Sequence, residues 1–202
     1  MNNIFPLSYF PSILYMALLL RTKEPYIEIY DTYKKQTCRT RCNVLTANGI
    51  QTLTVPVVKV NGNHTMTKDI KISYKEPWQH IHKRCLESAY MKSPYFEHYY
   101  HFISIIFDNQ YDTLHQLNEN VLKAILKILK IDKTIRYTSD FEPITSKDDL
   151  RNILAKCNNE YNHPSYYQVF CDRFHFVSNL SILDLVFNEG PESMEYLDKI
   201  LI

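Results

Sequence analysis

The sequence predicts an α/β fold: a mixed sheet with an N-terminal strand-helix-strand unit, a β-hairpin, and a helical C-terminal half. Three observations carry this. Short alternating runs at the start flank an apolar helical stretch, Asn48-Gly49 divides two β-prone runs, and apolar residues recur at helical spacing from Pro77 onward.

In order, residues 3–9 read as a short apolar strand, Pro11 sits where a first helical turn accepts proline, and Ile13 to Leu20 continue as helix. "PYIEIY" alternates like a second strand, so the helix becomes a crossover between parallel strands. Asn48-Gly49 tolerates positive φ at a tight turn, which places hairpin strands near 36–46 and 50–59. "DIKISY" adds a strand. Trp78, Ile81, Cys85 and Ala89 then mark one helix face; Phe96, Tyr99, Tyr100, Ile103 and Phe107 mark a second; Leu114, Leu117, Val121, Ile125 and Ile128 mark a third, opposite Lys123, Lys127 and Lys130. "KTIRYTS" reads as a strand, "SKDDLRNILAKC" as a capped helix and "SYYQVF" as a strand. Gly190-Pro191 closes one short helix and opens the last.

A chain of 202 residues, 45% hydrophobic and 22% charged, fits a single domain spanning 1–202 with one substantial core. A formal net charge of +1 supplies no overall field toward nucleic acid or anionic lipid, so any electrostatic recognition is local. Five cysteines without regular spacing fit reduced thiols and a cytoplasmic protein. The apolar run from Ile4 to Leu20 lacks a basic leader and a small-residue cleavage site, and prolines interrupt it, so no membrane span is expected. Three glycines are too few to write a dinucleotide fingerprint or a P-loop.

The segment "KKQTCRTRCN" holds the strongest chemical signal. In a strand, Lys35, Arg39, Arg41 and Asn43 would share a face, with Gln36, Cys38, Thr40 and Cys42 behind. Such a face suits a phosphate or carboxylate ligand, because guanidinium groups bind oxyanions bidentately; an ordinary solvated, lysine-protected edge produces the same pattern. Cys38 and Cys42 are too few for a structural zinc site, and no metal is expected. Of the histidines from His80 to His101, only His82 has an inward helical phase, as a bonded core residue or a general acid/base. His98 and His101 fall on a polar face. In "SNLSILDLVFNEGPES", Ser181, Asp184 and Asn188 form a narrow polar stripe on an apolar helix. Asp184 could orient a histidine or a substrate hydroxyl, or complete a cap with Ser181.

Taken together, "YFPSILYM", "KQTCRTRCNV", "ANGIQTLTVPV", "WQHIH", "SAYMKSPYFEHY", "YYQVF" and "NLSILDLVFNEGPES" resemble the WbqC-like family. The likeness spans nearly the whole chain and includes Pro11, Tyr15, Gln36, Arg39, Arg41, Trp78, Tyr90, Ser181, Asp184, Asn188 and Gly190. The sequence departs at Pro6-Leu7, where many members carry Gln-Pro. The resemblance implies a cytoplasmic bacterial protein associated with O-antigen and other surface polysaccharides. The function expected from both lines is an enzyme modifying or transferring a small group onto a sugar or nucleotide-sugar precursor. Asp184 and His82 would move protons; Lys35, Gln36, Arg39, Arg41, Ser181 and Asn188 would bind the anionic substrate; Tyr9, Trp78 and Tyr167 would wall it. The alternative is a non-catalytic anionic-ligand-binding or assembly subunit, and the third reading is nucleic-acid binding, for which no recognition module is visible. The sequence specifies neither a cofactor nor an oligomeric state.

Overall fold

The computed structural model describes residues 3–143, 149–156 and 164–200. The fold is α/β. Strand β1 (Ile4–Pro6), helix α1 (Ile13–Arg21) and strand β2 (Tyr26–Glu28) form the expected parallel unit, with Phe5 opposite Ile27. Strand β7 (Arg136–Tyr137) adds on the far side of β2, also parallel, giving the order β1-β2-β7. Two antiparallel pairs complete the strands among the described residues: β3 (Arg41–Thr46) with β4 (Gly49–Thr54), and β5 (Val57–Val58) with β6 (Lys71–Ile72). Helices α2 (Trp78–Tyr90), α3 (Phe96–Asp108) and α4 (Leu114–Ile128) follow as the periodicity predicts. Helices α5 (Ile182–Glu189) and α6 (Ser193–Lys199) end the described chain, joined by a 3₁₀ turn through Pro191.

Several boundaries differ, each for a local reason. The segment 36–40 is a series of turns rather than strand: Gln36 has φ +59° and the Thr40 amide bonds back to the Thr37 carbonyl at 3.2 Å. The hairpin's central residues are Ala47 and Asn48, with Gly49 next in the left-handed region at φ +98°, one residue earlier than the Asn-Gly signal implied. On α2 the buried residues are Trp78, His82, Leu86, Ala89 and Tyr90, while Ile81 is 50% exposed, so the inward stripe is rotated by one residue. Residues 149–156, the described part of the helix expected over "SKDDLRNILAKC", form an isolated bridge from Asp149 to Ile4 and then turns. The expected strand over "SYYQVF" is absent, because the Gln168 side chain replaces a neighbouring strand: its amide donates to the Val177 carbonyl and accepts from the Val177 amide, both at 3.0 Å.

Helices α1 and α5 begin against each other. The Ile13 amide donates to the Leu180 carbonyl at 3.0 Å, and the Ile182 amide donates to the Pro11 carbonyl at 2.8 Å. Leu14 N donates to Asn179 Oδ1 at 3.0 Å, and Ser181 Oγ donates to the Phe10 carbonyl at 3.2 Å. Amides that a helix start leaves unpaired are thus satisfied by the other helix's approach. Gly190 ends α5 with φ +54°, and a Cβ there would lie 2.5 Å from the Tyr95 ring. Only glycine fits both demands.

Candidate functional site

The chain between β2 and β3 decides where the basic residues go. Asp31 is buried and its carboxylate takes a charged bond from the Arg39 guanidinium and a 2.5 Å bond from the Thr67 hydroxyl. Arg39 is drawn inward, 1% exposed, since an unpaired carboxylate in that position would be costly. Arg41, two residues on and already in β3, stays half-exposed. Two exposed lysines are separated as well. Lys35 lies on the Arg41 side and Lys34 on the Arg39 side, so the loop divides two recesses.

On the first side is an open basin of about 860 Å³ lined by Tyr33, Lys35, Gln36, Thr40, Arg41, Thr54, Pro56 and Lys59, among others. Lys35, Arg41 and Lys59 carry its charge, and among the described residues no carboxylate lines it. Lys59 Nζ donates to the neutral Asn63 Oδ1 at 2.8 Å, which leaves its charge uncompensated by that partner. Three predicted residues, Lys35, Gln36 and Arg41, therefore meet, by a turn rather than along a strand face. Arg39 does not join them. A second recess, about 560 Å³, lies on its side of the loop and is lined by Asp31, Thr32, Lys34, Arg39, Phe141 and Arg151.

The proposed proton-handling pair is not assembled. His82 is 3% exposed, its Nδ1 lies 2.9 Å from the Tyr9 hydroxyl, and burial lowers its pKa to about 4 despite a bond with the Thr54 backbone. It is a neutral imidazole at ordinary pH. Asp184 is 1% exposed on α5, where it accepts from the Tyr166 hydroxyl at 2.6 Å and Gln168 Nε2 at 2.9 Å; Tyr90 also bonds it. Burial raises its pKa, opposed by those three donors. Asp184 thereby fastens the segment after residue 164 to α2 and α5. Asn188 donates to the Asp184 carbonyl at 2.8 Å and is buried. Of the polar stripe, only Ser181 reaches a cleft with Arg41, alongside Ser8, Ser12, Cys38 and Asn43. The pocket expected to join the whole stripe to both arginines is therefore divided.

Tyr9 and Trp78, expected as stacking walls, are 0% and 2% exposed and offer no open ring face. Trp78 and His82 instead border a cleft with Gln51, Thr52, Thr54, Pro56 and Glu76, which adjoins the basin at Thr54 and Pro56. Tyr167 is 59% exposed and outside these recesses. Cys38 and Cys42 are buried free thiols, and burial raises the Cys38 pKa to about 11; Cys157 lies outside the described residues. Among the described residues no three His, Cys, Asp or Glu side chains converge as a metal site, and no helix is long and apolar enough to cross a membrane.

Sequence reading missed Lys59, and it missed the acids that fix the arginines: Asp31, Glu28 and Asp149. Arg151 binds Glu28 at 3.0 Å and also pairs with Asp149, all three buried. An available signal was the acid at the head of "DTYKKQTCRTR", placed to claim one of the cations that follow it.

This arrangement defines an α/β protein with a charged loop between two recesses. The chain belongs to the WbqC-like protein family, whose profile matches residues 8–161 and 157–196. It is also 27% identical over 199 residues to a Mycobacterium tuberculosis (strain ATCC 25618 / H37Rv) protein described as "Uncharacterized protein Rv1507c", covering 84% of this chain and 86% of that one. No solved structure matches.

Proposed function

We propose that this protein binds a phosphate-bearing saccharide precursor, a sugar phosphate or nucleotide sugar, in the basic basin and serves in the modification of surface polysaccharide precursors. The observation that carries the reading is the meeting of Lys35, Arg41 and Lys59 in one recess with no lining carboxylate among the described residues. Phosphate is matched by the guanidinium fork and by lysine point charges. The adjoining cleft brings Gln51, Thr52, Thr54 and Glu76, whose amide, hydroxyl and carboxylate groups suit a polyol.

Calorimetric titration with UDP-sugars at low salt tests this. Saturable binding is expected, with Lys59→Glu weakening it roughly tenfold, equivalent to ~1.4 kcal/mol of lost Coulomb attraction. Binding untouched by that reversal sinks the basin assignment, and tighter binding of oligonucleotides than of mononucleotide sugars favours the nucleic-acid reading.

A non-catalytic binding or assembly subunit is the second reading, favoured by the buried, partnered state of both His82 and Asp184. Asp184→Asn distinguishes the two: on this reading it lowers the melting temperature and leaves ligand affinity intact, whereas turnover lost in a folded variant restores Asp184 to chemistry.

A further inference from the structure

We propose that the recess on the Arg39 side is a second ligand site, one that takes a carboxylate borne on a flat apolar body. It lies where open parallel sheets place their ligands, outside the carboxyl ends of the strands. Glu28 is the last residue of β2 and Asp31 follows it; Tyr137 ends β7 and Phe141 follows that.

The donors are in excess. Arg39 uses one N–H on the Asp31 carboxylate and one on the Thr37 hydroxyl, while its Nε–H has no partner among the described residues, although the side chain is 2% exposed. A guanidinium carries about five N–H donors, so the buried group is left under-satisfied. Lys34 is exposed on the same rim and has no carboxylate partner among the described residues.

The pairing of charges sets the class of anion. The cations of the recess are Arg39, Arg151 and Lys34; Asp31 answers the first, and Glu28 and Asp149 answer the second. Three cations against three carboxylates leave the group neutral as a whole, so the capacity for an anion lies in the spare Arg39 donor and in Lys34 on the exposed rim, which suits a monoanion better than a phosphate dianion. A carboxylate also matches the planar arginine edge. The remaining wall is Phe141, 50% exposed, with the Arg151 guanidinium carbon 5.8 Å from its ring centre. That wall adds an apolar face for a ring or other flat body.

The inference goes beyond the basin reading and does not rest on it. Titrations of the full chain with sodium benzoate, sodium acetate and inorganic phosphate, followed by two-dimensional amide NMR, test it. Benzoate is expected to give saturable shifts at Thr32, Lys34 and Phe141, more strongly than acetate, with phosphate shifts confined to the basin. Lys34→Glu and Phe141→Ala change exposed side chains; each should weaken benzoate roughly fivefold, the scale of one exposed contact, and leave the phosphate titration unchanged. Benzoate shifts that never saturate, that fall in the basin, or that survive both substitutions overturn the proposal. Loss of phosphate binding with benzoate retained overturns the basin reading alone.

Discussion

The two recesses beside the Asp31–Arg41 loop handle charge in opposite ways. On the Arg39 side, charge is taken into the protein and matched group by group: Arg39 with Asp31, Arg151 with Glu28 and Asp149. On the Arg41 side the lining cations face an open basin without acids among the described residues, and the neighbouring interior holds the imidazole of His82 neutral. Two arginines with one residue between them thus do different work. A cation's contribution is set less by its place in a basic run than by whether a buried acid claims it.

The largest test breaks the paired side. Arg39→Ala leaves the Asp31 carboxylate buried with only Thr67 as a side-chain partner among the described residues, and should cost about 3–5 kcal/mol of stability in urea denaturation, the usual range for one half of a buried pair. A loss below 1 kcal/mol, on the scale of an exposed pair, would mean that the two sides do not differ.

The charge-excluding side predicts an acid limb. Since the folded His82 pKa is lowered to about 4 from 6.5, the unfolded chain binds more protons between those values, and stability falls as pH drops through that window. The contribution, roughly 3 kcal/mol from the pKa difference, is fully present above about pH 6.5 and gone below about pH 4. Denaturation midpoints across this range should show the loss in the native protein and a flatter limb in His82→Gln; identical limbs would remove His82 as the cause.

The smallest effect sharpens the basin. Lys35→Ala removes an exposed charge and should weaken nucleotide-sugar binding roughly twofold to fivefold in calorimetry, with stability changed by less than ~0.5 kcal/mol. A large stability loss would mean that Lys35 is structural, as Arg39 is.

Much of this was legible in the sequence because local signals and tertiary structure agree. The apolar run from Ile13 does form a helix, although Pro11 lies before its Ser12 cap rather than in its first turn; the Asn48-Gly49 region does turn a hairpin, and His82 does point inward. What periodicity could not read was side-chain replacement of backbone structure. Gln168 takes the place of a strand partner, and Asp31 turns what reads as a basic strand into a folded loop, because a buried carboxylate's need for a cation outweighs β propensity. The Asp184 site was visible as a polar stripe, but its partners Tyr166 and Gln168 come from a segment with no regular structure, to which helical or strand spacing gives no access.

The mutual capping of α1 and α5 has a kinetic consequence. Its side-chain bonds join positions 165 and 171 residues apart, so this crossover unit cannot complete its hydrogen bonding until Asn179 and Ser181 have been synthesised. Closing such distant contacts is slow compared with forming local helices. On the ribosome, the strand-helix-strand unit waits with an apolar helix in search of cover, and the arrival of α5 locks it.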